Sequence, residues 1–283
     1  MSDASGVILY RTDHDVIRRT DIETALRRVG VFRGDLIMIH SDVGAFGKLG
    51  DLLDRERFLQ EILGAFLGVI TEAGTLIVPT YTYSFCRKDV FDVEKSASHA
   101  GLFSEFIRQL PGSLRSEDPI FSHAGFGPEA HELLDGVGND CFGTNSFFDR
   151  FYGRNGKMIN FGKFFDITFL HYIEQKVGVS YRYMKKFEGQ IIGADRRIRS
   201  CHVDYFVRAL AEDDGLDVQY EMPHLGRELE SRGVLLRSAL GASYILCSNA
   251  RDCFDVGCEM LKKNEHAFLK QKPVSLSPKD LNK

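Results

Sequence analysis

Two short runs, Asp35-Leu36-Ile37-Met38-Ile39-His40 and Gly74-Thr75-Leu76-Ile77-Val78-Pro79, are almost entirely apolar. A strand with one wet face alternates polar and apolar residues, so unbroken runs of this length predict strands buried on both faces of a sheet. Between them, residues 55 to 70 place Phe58, Ile62, Phe66 and Leu67 along one side of a helix. Strand, helix and strand in that order specify a parallel pair joined by a right-handed crossover.

The rest of the chain extends the pattern. Thr20-Asp21 reads as a helix start and Gly30 as its stop. A helix over 104–110 ends at Pro111-Gly112, and a strand falls within 120–126. Residues 157–162 read as a strand and 168–176 as a helix. The predicted fold is a layered α/β/α sandwich around a mostly parallel central sheet. Beyond Gly178 the pattern shifts to polar alternation, so 181–192 and 201–207 are predicted antiparallel strands in a β-rich portion spanning about 180–240. A short strand at 244–246 and a helix over 249–263 close a single domain of residues 1–270, followed by a polar tail at 271–283.

Composition excludes several classes of function. Hydrophobic residues make up 43% and charged residues 27%, too apolar for a disordered chain. The net charge is -4 with no long basic cluster, so nucleic acid is not an expected partner. The six cysteines form no C-x-x-C pair, which leaves no metal site to predict. No run approaches the roughly 18 apolar residues of a membrane span, and no leader is evident, so the expected location is the cytoplasm.

In an open sheet, ligands bind beyond the carboxyl ends of the strands, where helix N-termini favour anions. The segments His40-Ser41-Asp42-Val43-Gly44 and Pro79-Thr80-Tyr81-Thr82-Tyr83-Ser84 sit there. Neither matches the phosphate loop of nucleotide triphosphatases or the dinucleotide-binding turn. A third cluster runs from Arg115 to Gly127. The fourth contains His171 and Glu174, which share a helix face three residues apart, so that the carboxylate can orient the imidazole or form an ordinary solvated pair with it.

Taken in order over residues 16 to 266, these clusters resemble the aminoglycoside 3-N-acetyltransferases and their relatives. The matching elements are Gly34-Asp35 with His40-Ser41, Gly74-Thr75-Leu76 with Pro79-Thr80, Arg115-Ser116 with Pro119 and Ser122, Leu170-His171 with Glu174, and Gly241-Ala242 with the closing helix. The resemblance implies coenzyme A or acyl-CoA as cosubstrate, with Ser41, Asp42, Val43, Thr80 and Thr82 against it and Arg115 and Ser116 nearby. Antibiotic-modifying members carry His-Pro-Thr-His-Ser where this chain has Asp118-Pro119-Ile120-Phe121-Ser122. The second His, regarded as their base, is therefore Phe121 here. His123 lies two residues on and shares its strand face, either as a substitute base or as a packed core histidine.

The implied chemistry is attack of a sugar amine on the thioester carbonyl, with His123 or His171 receiving the proton and Glu174 orienting the histidine. An acyl-cysteine route through Cys86 has no recognised histidine partner. Tyr83, Phe85, Phe121 and Ser122 are the expected substrate contacts. Basic residues in the flanking loops, including Arg87, Arg150, Arg154, Lys157 and Lys163, favour an anionic acceptor. The leading expectation is thus a nucleotide-linked amino-deoxysugar of surface polysaccharide (lipopolysaccharide) synthesis. The alternatives are aminoglycoside acetylation and a non-catalytic sensor of CoA or sugar nucleotides. A homodimer is compatible with any of them.

Overall fold

The computed structural model describes residues 6–52, 54–162, 165–208, 219–221 and 223–271. Lys163 and the tail after Gln271 lie outside the described residues. The chain opens with β1 (Ile8–Arg11), β2 (Val16–Arg18) and α1 (Arg19–Arg28). The first apolar run becomes β3 (Leu36–Ser41), and β4 (Lys48–Leu49) turns back to pair with β1. α2 (Arg55–Ile70) starts where the Asp54 carboxylate accepts the Arg57 N–H, and it leads into β5 (Thr75–Pro79).

Next come β6 (Phe91–Asp92), α3 (Leu102–Gln109), β7 (Leu114–Arg115), β8 (His123–Phe126), α4 (Ala130–Leu134) and α5 (Phe147–Gly153). β9 (Lys157–Phe161) and α6 (Phe169–Val177) precede a long hairpin, β10 (Arg182–Ile192) and β11 (Ile198–Arg208). α7 (Pro223–Ser231), β12 (Leu236–Leu240), β13 (Ser243–Asn249) and α8 (Ala250–Lys263) complete the described chain.

The main sheet has seven strands in the order β12-β13-β9-β3-β5-β8-β7. Only β13 and β8 run against the rest: each is antiparallel to both neighbours, so the other five share one direction. The mostly parallel sandwich expected from the sequence is what forms. Parallel hydrogen bonding itself is confined to the centre, where Ile37 faces Leu76 and Ile39 faces Ile159.

Both faces of the centre are covered, which is why the apolar runs are unbroken. Ile37, Ile39, Leu76 and Val78 join one core with Leu26, Ile62, Phe66 and Phe103 from α1, α2 and α3. Leu36, Met38, Ile77 and Met158 join the other with Leu133, Phe148, Phe169 and Val256 from α4, α5, α6 and α8. Each fully buried Leu, Ile or Phe contributes about 1.5–3 kcal/mol relative to exposure, so the two cores together anchor the sheet.

The antiparallel portion is narrower than the sequence suggests. β10 and β11 pair from Arg182–Arg208 to Ile192–Ile198, and β6 adds a short third strand. Further along, however, Pro223–Ser231 is helical, with Leu225 and Leu229 buried one turn apart. β12 then belongs to the main sheet. The hairpin is not a separate unit, because Ile191 and Val203 are buried in the same core as α6. Among the described residues, no helix is long and apolar enough to cross a membrane, and no group of three or more His, Cys, Asp or Glu is placed to hold a metal.

Candidate active site

β3 connects through α2 to β5 on one side, while β9 lies on its other side. The order therefore reverses between β3 and β9, and the crevice beyond their carboxyl ends is where such sheets bind ligands. Ser41, Asp42 and Val43 form its lip, with Asp42 exposed and the other two half-buried. Gly162, after β9, has φ 82° and a Cβ there would stand 2.4 Å from the Asp42 carbonyl, so the two strand ends approach as closely as they do only with glycine.

The expectation that this turn opens a helix and offers free N–H groups to phosphate is corrected. The turn leads to β4, not to a helix. The Asp42 N–H donates to the Phe161 carbonyl at 2.8 Å, Gly44 N–H to the Asp42 carboxylate at 3.1 Å, and Ala45 N–H to the Asp42 carbonyl at 3.2 Å.

The other predicted cofactor contacts are turned inward. Thr80, Thr82, Ser116 and Ser122 are buried. Ser122 Oγ donates to the Thr80 carbonyl at 2.6 Å, Thr82 Oγ1 to the Pro119 carbonyl at 2.8 Å, and Ser116 Oγ accepts the His123 N–H at 2.9 Å. Arg115 donates to the Thr80, Val93 and Ser96 carbonyls at 2.8, 3.0 and 2.6 Å and lies over the Phe91 ring. Its donors bind three backbone carbonyls, so this group clamps 79–84, 91–96 and 115–123 together. Phe85 is buried too, filling the space above Gly189 on β10.

His123 is fully enclosed. Its ring stacks on Phe147 at 3.6 Å, with Tyr81 Oη 3.4 Å from Nε2. Burial, aided by repulsion from His40, holds the imidazole well below the usual histidine range. His123 is a packed core residue, and its expected role as a base is corrected on that ground. Replacing it with Phe is expected to cost about 1–3 kcal/mol, as core shape changes do, and to leave turnover intact. A folded H123F protein without turnover would return His123 to the reaction.

The structure opens elsewhere. A cavity of about 530 Å³ lies beside α6, with Tyr83, Asp166, Thr168, His171, Tyr205 and Tyr220 on its walls. Arg182, Arg208 and Lys270 also line it. A second cleft, about 670 Å³, lies at the β7 edge and shares only Arg115 with the predicted residues.

The local sequence explains how α6 presents its pair. His171 and Glu174 are one turn apart, and the helix stops at Gly178 in the left-handed conformation, φ 77°. The reversal brings Tyr181 and Arg182 back onto Glu174. The Glu174 carboxylate is wholly buried and meets His171 Nδ1 at 2.8 Å. It also accepts from Tyr181 Oη at 2.6 Å and Tyr220 Oη at 2.9 Å, and pairs with Arg182 Nε at 2.8 Å.

Burial alone would raise the Glu174 carboxyl, but Arg182 and the hydrogen bonds from His171 and Tyr181 outweigh it and hold the group below the usual carboxylate range. Burial pushes His171 down to about 4, reinforced by Arg182 and only partly opposed by Glu174. At neutral pH His171 is thus an unprotonated imidazole on a cavity wall, oriented by a buried carboxylate. The geometry fits a proton acceptor, because a carboxylate orients the imidazole, while a proton affinity of about 4 makes the ring a weak base at neutral pH.

Phe121 sits directly behind this wall. Its ring is 5.4 Å from Tyr83, 5.0 Å from Tyr205 and 5.0 Å from Phe142, and Phe142 is 5.6 Å from His171. Of the expected substrate contacts, only Tyr83 reaches the cavity; Phe85, Phe121 and Ser122 do not. Sequence reasoning missed Tyr181, Arg182 and Tyr220. One signal was legible: a carboxylate buried on an apolar helix requires a cation, and Arg182 follows the helix stop closely.

The chain matches the family model "Aminoglycoside 3-N-acetyltransferase" over residues 38–262. It is 25% identical over 286 residues to aminoglycoside N(3)-acetyltransferase VII of Streptomyces paromomycinus, covering 90% of this chain and 95% of that protein. It is 28% identical over 198 residues to aminoglycoside N(3)-acetyltransferase III of Serratia marcescens, covering 63% and 71%. Among solved structures, aminoglycoside acetyltransferase AAC(3)-Xa superposes with a TM-score of 0.74 at 22% identity, covering 87% of this chain and 93% of that one. AAC-IIIb, in a binary complex with CoASH, superposes with a TM-score of 0.73 at 22% identity, covering 91% and 99%. These relatives are named for aminoglycosides, which overturns the expectation of a nucleotide-linked amino-deoxysugar from polysaccharide synthesis. With the family model covering well over half of the sequence and the shared sandwich fold, the chain belongs to the aminoglycoside 3-N-acetyltransferase family.

Proposed function

We propose that this protein is an acyl-CoA-dependent N-acetyltransferase acting on an amine of an aminoglycoside-type aminosugar, with His171 as the proton acceptor. The observation that carries the reading is His171 on the cavity wall, its Nδ1 2.8 Å from the buried Glu174 carboxylate. The names of the curated relatives support the acceptor class, and the CoASH complex of a structural neighbour supports the cosubstrate. Ser41, Asp42 and Val43, at the crevice between β3 and β9, are the assigned contacts for CoA.

The neutral amine attacks the thioester carbonyl carbon, forming C–N as C–S breaks. The amine proton passes to His171, and CoA leaves as thiolate. His171 then returns the proton to the thiolate or to water, restoring the starting state. Direct attack is favoured over an acyl-cysteine, because partial burial pushes the Cys86 thiol up to about 11 and leaves it protonated at neutral pH.

Thiol release from acetyl-CoA in the presence of kanamycin-type aminoglycosides tests the reading. Turnover with those amines, and none with the corresponding N-acetylated sugar, is the expected result; no turnover with any aminoglycoside overturns it. The pH profile adds a second check. A base works while unprotonated, and a proton affinity lowered to about 4 keeps His171 unprotonated through the whole range above that value. Loss of rate between neutrality and pH 4 is therefore expected to follow protonation of the acceptor amine and to change with the acceptor used.

A further inference from the structure

His171 Nδ1 is claimed twice. It stands 2.8 Å from Glu174 Oε2 and 2.7 Å from Arg182 Nη2, which also lies 3.4 Å from Nε2. An ionised carboxylate only accepts and a guanidinium only donates, so one ring nitrogen cannot satisfy both. As an N–H it serves Glu174, and the Arg182 donor is left to the Nε2 lone pair at 3.4 Å. As a lone pair it serves Arg182 and abuts the carboxylate. The first tautomer leaves Nε2 with a lone pair, able to take a proton; the second leaves Nε2 as an N–H.

We propose that Arg182, against both ring nitrogens, is a positioning residue that keeps His171 from holding two protons. This rests on the reading of His171 as the proton acceptor. Arg182 is held rigidly enough to do so, because its side chain is 1% exposed and is pinned from other directions by the Tyr220 hydroxyl at 2.8 Å and the Phe206 carbonyl. It cannot swing away when the ring changes state. When Nε2 accepts the amine proton, the imidazolium donates Nδ1–H to Glu174 but lies against the fixed cation. Glu174 makes the transfer accessible, and Arg182 makes the imidazolium acidic enough to surrender the proton to the departing thiolate.

The charged and titratable groups facing His171 are Glu174 on its own helix, Arg182 on β10, Arg208 at the end of β11, Tyr220, and Asp166 and Lys270 on the cavity wall. Arg208 adds to the repulsion, and Arg182 is in hydrogen-bonding contact with the ring. Removal of Arg182 therefore leaves Glu174 as the dominant neighbour, and the ring's proton affinity rises.

The proposal is tested by ¹⁵N-histidine NMR of the full-length protein without substrates, with the His171 resonance assigned by its absence in H171N, compared among wild type, R182K and R182Q. In R182Q, His171 is expected to titrate above its wild-type value of about 4, with burial still holding it down. In R182K the charge remains, so titration stays depressed. Turnover follows suit: at about one pH unit below the new R182Q midpoint, kcat falls about tenfold relative to its own high-pH plateau, and the loss is recovered above that midpoint. Wild-type and R182K rates do not show this step.

An unchanged His171 titration in folded R182Q overturns the proposal. Should R182Q not fold, R182K decides: His171 titrating at its ordinary value with the charge retained overturns it. Because the NMR readout needs neither acyl-CoA nor acceptor, it stands even if the acetyl-transfer reading fails.

Discussion

Replacing His171 with Asn is expected to lower kcat by about 10²- to 10⁴-fold, the range that a positioned base contributes. Its imidazole stands on the cavity wall, and burial with Arg182 keeps it unprotonated. Asn can still hydrogen-bond to Glu174, so the ion pair behind it survives and stability changes little. KM for acyl-CoA is expected to stay near wild type, because the proton acceptor acts in the transition state more than in ground-state binding. Steady-state kinetics, with thermal unfolding as a control, measure both. Full turnover in folded H171N would mean that the amine proton leaves by another route. A residual rate is expected, since orienting the two substrates contributes even without a base.

Replacing Glu174 with Gln is expected to destabilise the fold by about 3–5 kcal/mol, the cost of removing one partner from a buried ion pair. For a chain of this size that corresponds to roughly 6–20 °C in Tm. Glu174 is inaccessible and its Arg182 partner is 1% exposed, so water cannot replace the lost charge. By contrast, Arg11–Asp51 is half exposed on both sides, and such a pair is worth about 0–1 kcal/mol. E174Q also removes the group that claims Nδ1–H, so kcat falls with stability.

The double substitution E174Q/R182Q separates the two effects. It removes both charges and is expected to recover part of the lost stability while leaving kcat low. Urea unfolding of the single and double variants measures this. A loss below about 1 kcal/mol in E174Q would show that water or another anion already compensates Arg182, outside what buried-pair energetics allow.

Several features were legible along the chain. The two unbroken apolar runs became β3 and β5, because only strands covered on both faces tolerate them. The amphipathic segment 55–70 became α2 with the same bounds. Family membership was legible because five spaced clusters had to occur in order. The His171–Glu174 pairing was legible because helical geometry is local, so a separation of three residues fixes a shared face.

What lay beyond the sequence depends on contacts between residues far apart along the chain. Thr80, Arg115 and Ser122 look the same in sequence whether their donors face a phosphate or a carbonyl; only the fold aims Arg115 at the backbone of 80, 93 and 96. His123 was indistinguishable from a base until Phe147 covered its ring. The acceptor class was misjudged because exposed basic residues were counted without knowing which reach the cavity. Arg150, for one, is occupied by the carbonyls of Glu132 and Gly136. Sequence alone determined the central strands of the sheet, the main helices that cover them, the family and the local histidine–carboxylate pair. Tertiary structure decided which polar groups are internal clamps and which line a cavity. It also brought Arg182 and Tyr220 onto Glu174, because burial and charge pairing arise from chain reversals that local periodicity does not encode.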